Sequence, residues 1–110
     1  MYKNERRIFD RFPVDFAAEL KAAGPARSNL AHCCDAGAQG LGVLTQNKLT
    51  PAAKLELRLG LPNGQAPFRG LASVIWSQKD KQGQWRSGLQ FEHVDFMGIR
   101  RLFATLNKSR

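Results

Sequence analysis

The sequence predicts a mainly β protein, a small six-stranded antiparallel β-barrel with a C-terminal α-helix. Apolar and polar residues alternate over several short segments, turn-forming residues separate those segments, and the pattern changes to helical spacing near the end. Strands and helices do not alternate along the chain as they do in parallel sheets, so an antiparallel barrel is expected. The 110 residues fit one domain, which we assign to residues 13–110.

The strands are predicted in order from Pro13. In the first strand, Val14, Phe16, Ala18 and Leu20 alternate with more polar or smaller residues. Five further strands are predicted at residues 28–34, 41–45, 55–61, 68–76 and 85–91. The fourth predicted strand is rich in leucine, but its leucines recur every second residue, which favours a strand over a helix. A turn at residues 62–64 (Pro-Asn-Gly) follows it.

The chain changes to helical spacing after Asp95, which is a suitable N-cap. The apolar residues on one side of this segment are Phe96, Ile99, Leu102, Phe103 and Leu106, and the basic residues on the other side are Arg100, Arg101 and Lys108. We expect a helix from about residue 95 to 107, positioned to plug one end of the barrel.

The first 12 residues are polar and basic and are predicted to be a flexible tail. Arg6, Arg7 and Arg11 lie within this tail, in a chain that has 17 Lys and Arg residues against 9 Asp and Glu, a net charge of +8. Arginine suits phosphate because its planar guanidinium donates two parallel hydrogen bonds, and it also stacks on nucleobases. Charge alone supports an anion-binding segment and a solvated tail equally.

Several function classes are disfavoured. No apolar run is long enough to span a membrane, and the N-terminus is too polar for a secretory signal, so a cytoplasmic protein without a membrane partner is expected. No catalytic motif is present, so we do not expect an enzyme. Cys33 and Cys34 are interpreted as reduced thiols, one facing inward and one outward. Adjacent residues on a strand, including His32, cannot all face one ion, so no metal site is expected.

A second feature is the segment from Asp35 to Gly40, which also contains Gly37 and is predicted to be a loop. Glycines let the backbone approach a ligand closely and adopt positive φ. A carboxylate beside them could accept hydrogen bonds from N1–H and N2–H₂ of a guanine edge. The alternative is an ordinary hairpin loop in which aspartate forms the turn.

The order of these features resembles the PilZ domain, the bacterial receptor module for cyclic di-GMP, over nearly the whole chain. The family motif RxxxR is matched by residues 7–11 (RIFDR), and Arg6 occupies the frequently basic position before it. The motif (D/N)xSxxG is matched by residues 35–40 (DAGAQG), and residues 74–76 (VIW) and 88–91 (GLQF) resemble the later core strands.

The resemblance implies roles for individual residues. Arg7 and Arg11 would contact phosphates and stack on guanine, and Arg6 would do the same for a second ligand molecule in an intercalated dimer. Asp35 would recognise a guanine edge.

Two glycines of the second motif would shape its loop, Gly37 and Gly40. The family has serine where this chain has Gly37, so one hydroxyl is missing. Its loss would lower ligand affinity about threefold to tenfold. Trp76 is interpreted as a core residue of the barrel, with a place at the border of the ligand face as the alternative.

The resemblance implies a cyclic di-GMP receptor without a cofactor, in which the ligand orders the tail over the barrel and signals to an unknown downstream protein. One alternative is a PilZ-type interaction module that has lost ligand binding. Another is a small barrel that binds single-stranded nucleic acid. The nucleic-acid alternative is disfavoured because Phe16, Trp76 and Phe91 occupy positions that alternate with the core, which leaves no stacking surface.

Overall fold

The computed structural model describes residues 11–22, 28–93 and 96–108. These residues form six antiparallel strands and one helix, β1 (Arg11–Ala22), β2 (Ser28–Gly37), β3 (Gly40–Thr45), β4 (Lys54–Leu59), β5 (Phe68–Lys79), β6 (Trp85–His93) and α1 (Phe96–Lys108). The strands pair in the order β1-β2-β3-β6-β5-β4, and β4 pairs with β1 to close the barrel. The predicted six-stranded antiparallel barrel with a C-terminal helix is confirmed.

The barrel interior is filled by the apolar side of each alternating strand. In β4, Leu55, Leu57 and Leu59 are buried while Glu56 and Arg58 are exposed, as a period of two requires. Removing such side chains from water is the main favourable contribution to folding. The largest fully buried side chains are Phe68, Leu20, Leu41, Leu59, Leu89, Leu102, Val43 and Val74.

The helix α1 packs against the connection between β4 and β5. Its Leu102 is buried, and Arg101 donates hydrogen bonds to the carbonyl oxygens of Ala66 (2.7 Å) and Pro67 (3.2 Å). The helix bounds agree with the predicted ones to within one residue, and the predicted N-cap, Asp95, lies outside the described residues. Within the described part of the chain, no helix is long and apolar enough to cross a membrane.

The boundary between tail and barrel needs correction. The first strand begins at Arg11 rather than Pro13, because Arg11 pairs with Gly37 and Phe12 pairs with Ala36 and packs against the core. Arg11 and Phe12 therefore belong to the barrel and not to a flexible tail. The remaining ten residues of the predicted tail lie outside the described residues.

The segment Asp35–Gly40 is also not the loop that was predicted. Strand β2 continues to Gly37 and β3 starts at Gly40, so only residues 38 and 39 connect them. The strand extends this far because Ala36 is fully buried in the barrel and paired with strands on both sides.

Among the register shifts in strand pairing, two change the direction of side chains at the surface described below. A regular strand places residues i and i+2 on the same face. The register shifts between Cys33 and Asp35 against β3, and between Val74 and Trp76 against β6. As in a β-bulge, each shift sends the second residue outward although the first is buried, so Asp35 and Trp76 both lie on the outer surface.

Candidate ligand-binding site

Asp35 lies between two arginines on the outer face of the barrel. Arg11 Nη1 donates to Asp35 Oδ1 over 2.9 Å, and Arg86 Nη2 donates to Asp35 Oδ2 over 3.1 Å. The aspartate side chain is 20% exposed, whereas those of Arg11 and Arg86 are 40% and 51% exposed. Two guanidinium groups against one carboxylate leave this surface with net positive charge, which favours an anionic ligand.

The three charged residues come from three different strands. Asp35 pairs with Pro13 on one side and with Gly42 on the other, so Arg11 on β1 is its diagonal neighbour. Arg86 on β6 reaches Asp35 across β3. This approach needs a glycine in β3, since a Cβ at Gly42 would lie 2.5 Å from Asp35 Oδ2.

A second glycine on the same row makes room for Trp76. Gly42 pairs with Gly88, which in turn pairs with Trp76. A Cβ at Gly88 would overlap the Nε1 atom of the indole, so the ring lies against the glycine backbone. Trp76 is 39% exposed, so its interpretation as a core residue was wrong. The cause is the register shift after Val74, which interrupts the alternation on which that interpretation depended.

A cavity of about 250 Å³ adjoins this surface. It is lined by Arg11, Gln39, Ile75, Trp76, Gly88, Leu89 and Gln90. Its volume is slightly below the range of complete small-molecule pockets, so it suits one flat ring of a larger ligand. The lining combines an aromatic ring, a guanidinium and two amides, which together can stack on a heterocycle and hydrogen-bond its edge.

A larger cleft of about 450 Å³ lies among β1, β4 and β5. Its charged lining includes Glu19 and Arg58, which pair with each other over 3.0 Å, and Glu56 beside Lys21. These opposite charges largely compensate one another, and the residues lining the cleft include no aromatic ring. We therefore place the candidate site at Asp35 and Trp76 despite the smaller cavity.

Comparison with known proteins identifies the fold family. A family model, PilZ domain, matches residues 5–106. The chain belongs to the PilZ domain family. The resemblance inferred from the two sequence motifs is thereby confirmed, and no curated protein matches the chain.

Solved structures share the barrel of this PilZ domain at low sequence identity. Bacillus subtilis inhibitor of motility (MotI/DgrA) superposes with a TM-score of 0.77 at 14% identity, over 90% of this chain and 48% of that one. The PilZ domain of Escherichia coli YcgR, solved with c-di-GMP, gives 0.68 at 14% identity over 92% of each chain. K. pneumonia MrkH in its apo state superposes with a TM-score of 0.68 at 15% identity, over 91% of this chain and 50% of that one. This chain thus spans about half the length of MotI and of MrkH.

The structure brings together two of the arginine and aspartate residues singled out in the sequence. Arg11 and Asp35 form a direct ion pair, although 24 positions separate them in the chain. Arg6 and Arg7 lie outside the described residues, so their roles stay predictions.

The two motif glycines of this PilZ domain have different surroundings from those expected. Gly37 ends β2 directly opposite Arg11. Gly40 is buried, and a Cβ there would overlap the carbonyl oxygen of Leu89 on β6. Its backbone is not in the left-handed region. Gly40 therefore permits close pairing of β3 with β6 and does not shape a loop around a ligand.

Sequence reasoning missed Arg86, and it gave the position of Trp76 at the border of the ligand face only as the alternative to a core position. Neither residue lies in the two motifs, and Arg86 stands alone in charge among its neighbours. One signal was available, because a glycine inside a strand often marks the close approach of another group. Gly42 and Gly88 both do this here, and each lies beneath one of the site side chains.

The two thiols beside the site are not activated. Burial, together with smaller contributions from the neighbouring Cys34 and Asp35, raises the pKa of Cys33 from 9.0 to about 12. Burial also raises the pKa of Cys34, partly opposed by the positive charge of Arg86. A thiol is nucleophilic as the thiolate, so these shifts disfavour covalent chemistry at either cysteine.

The same two cysteines do not converge with His32. Cys33 points into the core, whereas His32 Nε2 lies 3.2 Å from Asp15 Oδ1 on the surface. Among the described residues, no three His, Cys, Asp or Glu side chains are grouped as metal ligands.

Proposed function

We propose that this PilZ domain is a bacterial cyclic di-GMP receptor, in which ligand binding orders the N-terminal arginine segment over the barrel and signals to a downstream protein. The observation that supports this most directly is Asp35 on the outer face between Arg11 and Arg86. Cyclic di-GMP carries two phosphates, and each guanine edge presents N–H donors. Arginines and a carboxylate are the complementary groups.

Three groups of the ligand would find partners on this surface. The Asp35 carboxylate would accept from guanine N1–H and N2–H₂, and Arg11 would donate to a phosphate. The exposed indole of Trp76 borders the adjoining cavity and offers a face for a guanine ring. The PilZ domain of Escherichia coli YcgR, which shares this barrel, was solved with c-di-GMP.

The ion pair between Arg11 and Asp35 must open when both bind ligand. An ion pair at this exposure contributes about 0.2–1 kcal/mol, so opening it costs little. Charge-assisted hydrogen bonds to a phosphate and to a guanine edge replace it, and these are roughly twice as strong as neutral ones. The observed pair is therefore compatible with binding.

The two remaining arginines would come from the segment before β1. Arg7 would contact phosphate and stack on guanine beside Arg11, and Arg6 would serve a second cyclic di-GMP in an intercalated dimer. Since β1 begins at Arg11, residues 1–10 are the part that the ligand would order. The ordered segment would change the surface offered to a downstream protein, in the cytoplasm.

A PilZ-type interaction module that has lost ligand binding is the second candidate. The observation that favours it is Gly37, which stands where the family has a serine hydroxyl. The nucleic-acid alternative gains one argument from the exposed Trp76. Proteins that bind single strands, however, stack successive bases on several aromatic side chains along a groove.

Isothermal titration calorimetry with cyclic di-GMP, cyclic di-AMP and a random single-stranded DNA tests the three candidates. A receptor binds cyclic di-GMP and discriminates against cyclic di-AMP, and it loses most of its affinity in Arg11→Gln and Asp35→Ala. Arg58→Gln is the matched control, because Arg58 pairs with Glu19 away from the site. Absence of cyclic di-GMP binding would favour the interaction module. Binding of the DNA more tightly than cyclic di-GMP would favour the barrel that binds single-stranded nucleic acid.

A further inference from the structure

We propose that Arg86 is a positioning residue for Asp35, holding one carboxylate oxygen so that the other is directed at the guanine edge. The proposal rests on the proposed cyclic di-GMP function. Arg86 belongs to neither sequence motif and reaches Asp35 from a strand that is not adjacent to β2.

The two arginines use different oxygens of the carboxylate. Arg11 Nη1 donates a hydrogen bond to Oδ1, whereas Arg86 Nη2 donates one to Oδ2. When Arg11 turns to a phosphate, Oδ1 is released, whereas the hydrogen bond to Oδ2 is not disturbed. The bond that remains fixes the plane of the carboxylate and leaves Oδ1 as the acceptor for guanine.

The surroundings of Oδ2 restrict it further. The thiol of Cys34 lies 3.9 Å from this oxygen, whereas the backbone of Gly42 lies beneath the whole carboxylate, with a Cβ position 2.5 Å from Oδ2 and 2.8 Å from Oδ1. The cavity beside the site is lined by Arg11 and not by Arg86, so a guanine bound there would meet the Oδ1 side. The geometry thus assigns Arg11 to the cavity side of the carboxylate and Arg86 to the opposite side.

Charge supplies a second reason for Arg86. Once Arg11 pairs with phosphate, Asp35 would be a carboxylate only 20% exposed, close to a ligand with two negative charges. Like charges at short range repel, and the effect is larger where solvent screening is reduced. The guanidinium of Arg86 compensates the carboxylate at 3.1 Å and keeps the site from repelling its own ligand.

A double-mutant cycle separates positioning from direct ligand contact. Cyclic di-GMP affinity is measured for the wild type, Arg86→Gln, Asp35→Ala and the double variant. We expect Arg86→Gln to weaken binding about fivefold in the wild-type background, and to have no further effect once Asp35 is absent. Arg58→Gln, which also breaks an exposed Arg–carboxylate pair (3.0 Å), corrects for the loss of one positive charge.

If Arg86→Gln lowered the affinity for cyclic di-GMP as much in the Asp35→Ala background as in the wild type, the proposal would be overturned, since Arg86 would then contact the ligand itself. Side-chain ¹⁵N NMR of the ligand-free protein gives an independent readout. In Arg11→Gln, the Arg86 guanidinium signals should remain those of a hydrogen-bonded group, and adding Asp35→Ala should shift them. Signals insensitive to Asp35→Ala would equally contradict the proposal.

The double-mutant cycle and the NMR measurement together distinguish failure of the proposed receptor function from failure of the positioning role of Arg86. If the wild type does not bind cyclic di-GMP, the proposed function fails, and the NMR measurement alone decides whether Arg86 holds Asp35. If binding occurs and the cycle shows independent effects, the function stands and the positioning role is wrong.

Discussion

Asp35 Oδ2 lies in the space that a side chain on residue 42 would occupy, 2.5 Å from the position of a Cβ on Gly42. Gly42→Ala should therefore displace the carboxylate and weaken cyclic di-GMP binding about tenfold, or about 1.4 kcal/mol, as measured by calorimetry. Gly60→Ala is the matched control, because a Cβ there comes no closer than 3.4 Å to another atom, the Ala17 carbonyl oxygen. Unchanged affinity in Gly42→Ala would show that the position of Asp35 does not limit binding.

Restoring the family serine should strengthen binding. Gly37→Ser adds a hydroxyl opposite Arg11 at the end of β2, where one hydrogen bond is worth about 0.5–1.5 kcal/mol. We expect an affinity gain of about threefold to tenfold by calorimetry. Gly37→Ala separates the hydroxyl from the added Cβ and should give no gain. Equal affinities for the serine and alanine variants would argue against a ligand contact at this position.

Trp76 should report ligand binding by its fluorescence. Its indole is exposed at the cavity, whereas Trp85, the other tryptophan, packs beneath the Lys48 ammonium, 5.6 Å from its ring centroid. Cyclic di-GMP should quench the emission of Trp85→Phe, which keeps Trp76, and leave that of Trp76→Phe nearly unchanged. Trp76→Ala should cost roughly 1–3 kcal/mol of binding free energy, the value of one stacked base. Quenching that follows Trp85 instead would place the ligand elsewhere.

The buried thiol of Cys33 should make stability depend on alkaline pH. Its pKa is raised from 9.0 to about 12, so the folded state keeps the proton while the unfolded chain releases it above pH 9. The favourable contribution is complete below pH 9 and is lost as pH rises toward 12, by at most about 4 kcal/mol.

Urea denaturation of the wild type and Cys33→Ala measures this contribution to the free energy of unfolding. Groups common to both proteins cancel in the difference between them. The alanine variant is less stable at neutral pH because of the cavity it leaves, and its deficit should shrink above pH 9. A deficit that stays constant up to pH 11 would contradict the raised pKa.

The barrel was predictable because its strands follow local rules. The leucines of β4 alternate without interruption, and all three are buried. Arg11 and Asp35 were identified as site residues because each lies in a family motif. Neither the net charge nor the alternation of apolar residues predicts that their side chains meet. Their ion pair crosses from β1 to β2 and depends only on one hairpin register.

The rest of the site depends on features that are not local. Arg86 and Asp35 are 51 residues apart, and their contact requires β3 to lie between β2 and β6 with a glycine at the crossing point. Trp76 was assigned to the core because an even number of positions separates it from the buried residues Phe68 and Val74. A register shift interrupts this alternation, and no residue type in the sequence indicates where it occurs.

The register shifts after Cys33 and Val74 determine which side chains of β2 and β5 reach the outer surface of the barrel. If β2 and β5 were regular at these positions, Asp35 would share the face of Cys33 and Trp76 that of Val74, both in the interior of the barrel. Ligand recognition would then be lost by a change of strand pairing alone, with every arginine, aspartate and tryptophan retained. A barrel of this kind can gain or lose a receptor surface while its hydrophobic residues remain the same, so motif residues and strand register together determine whether it can bind.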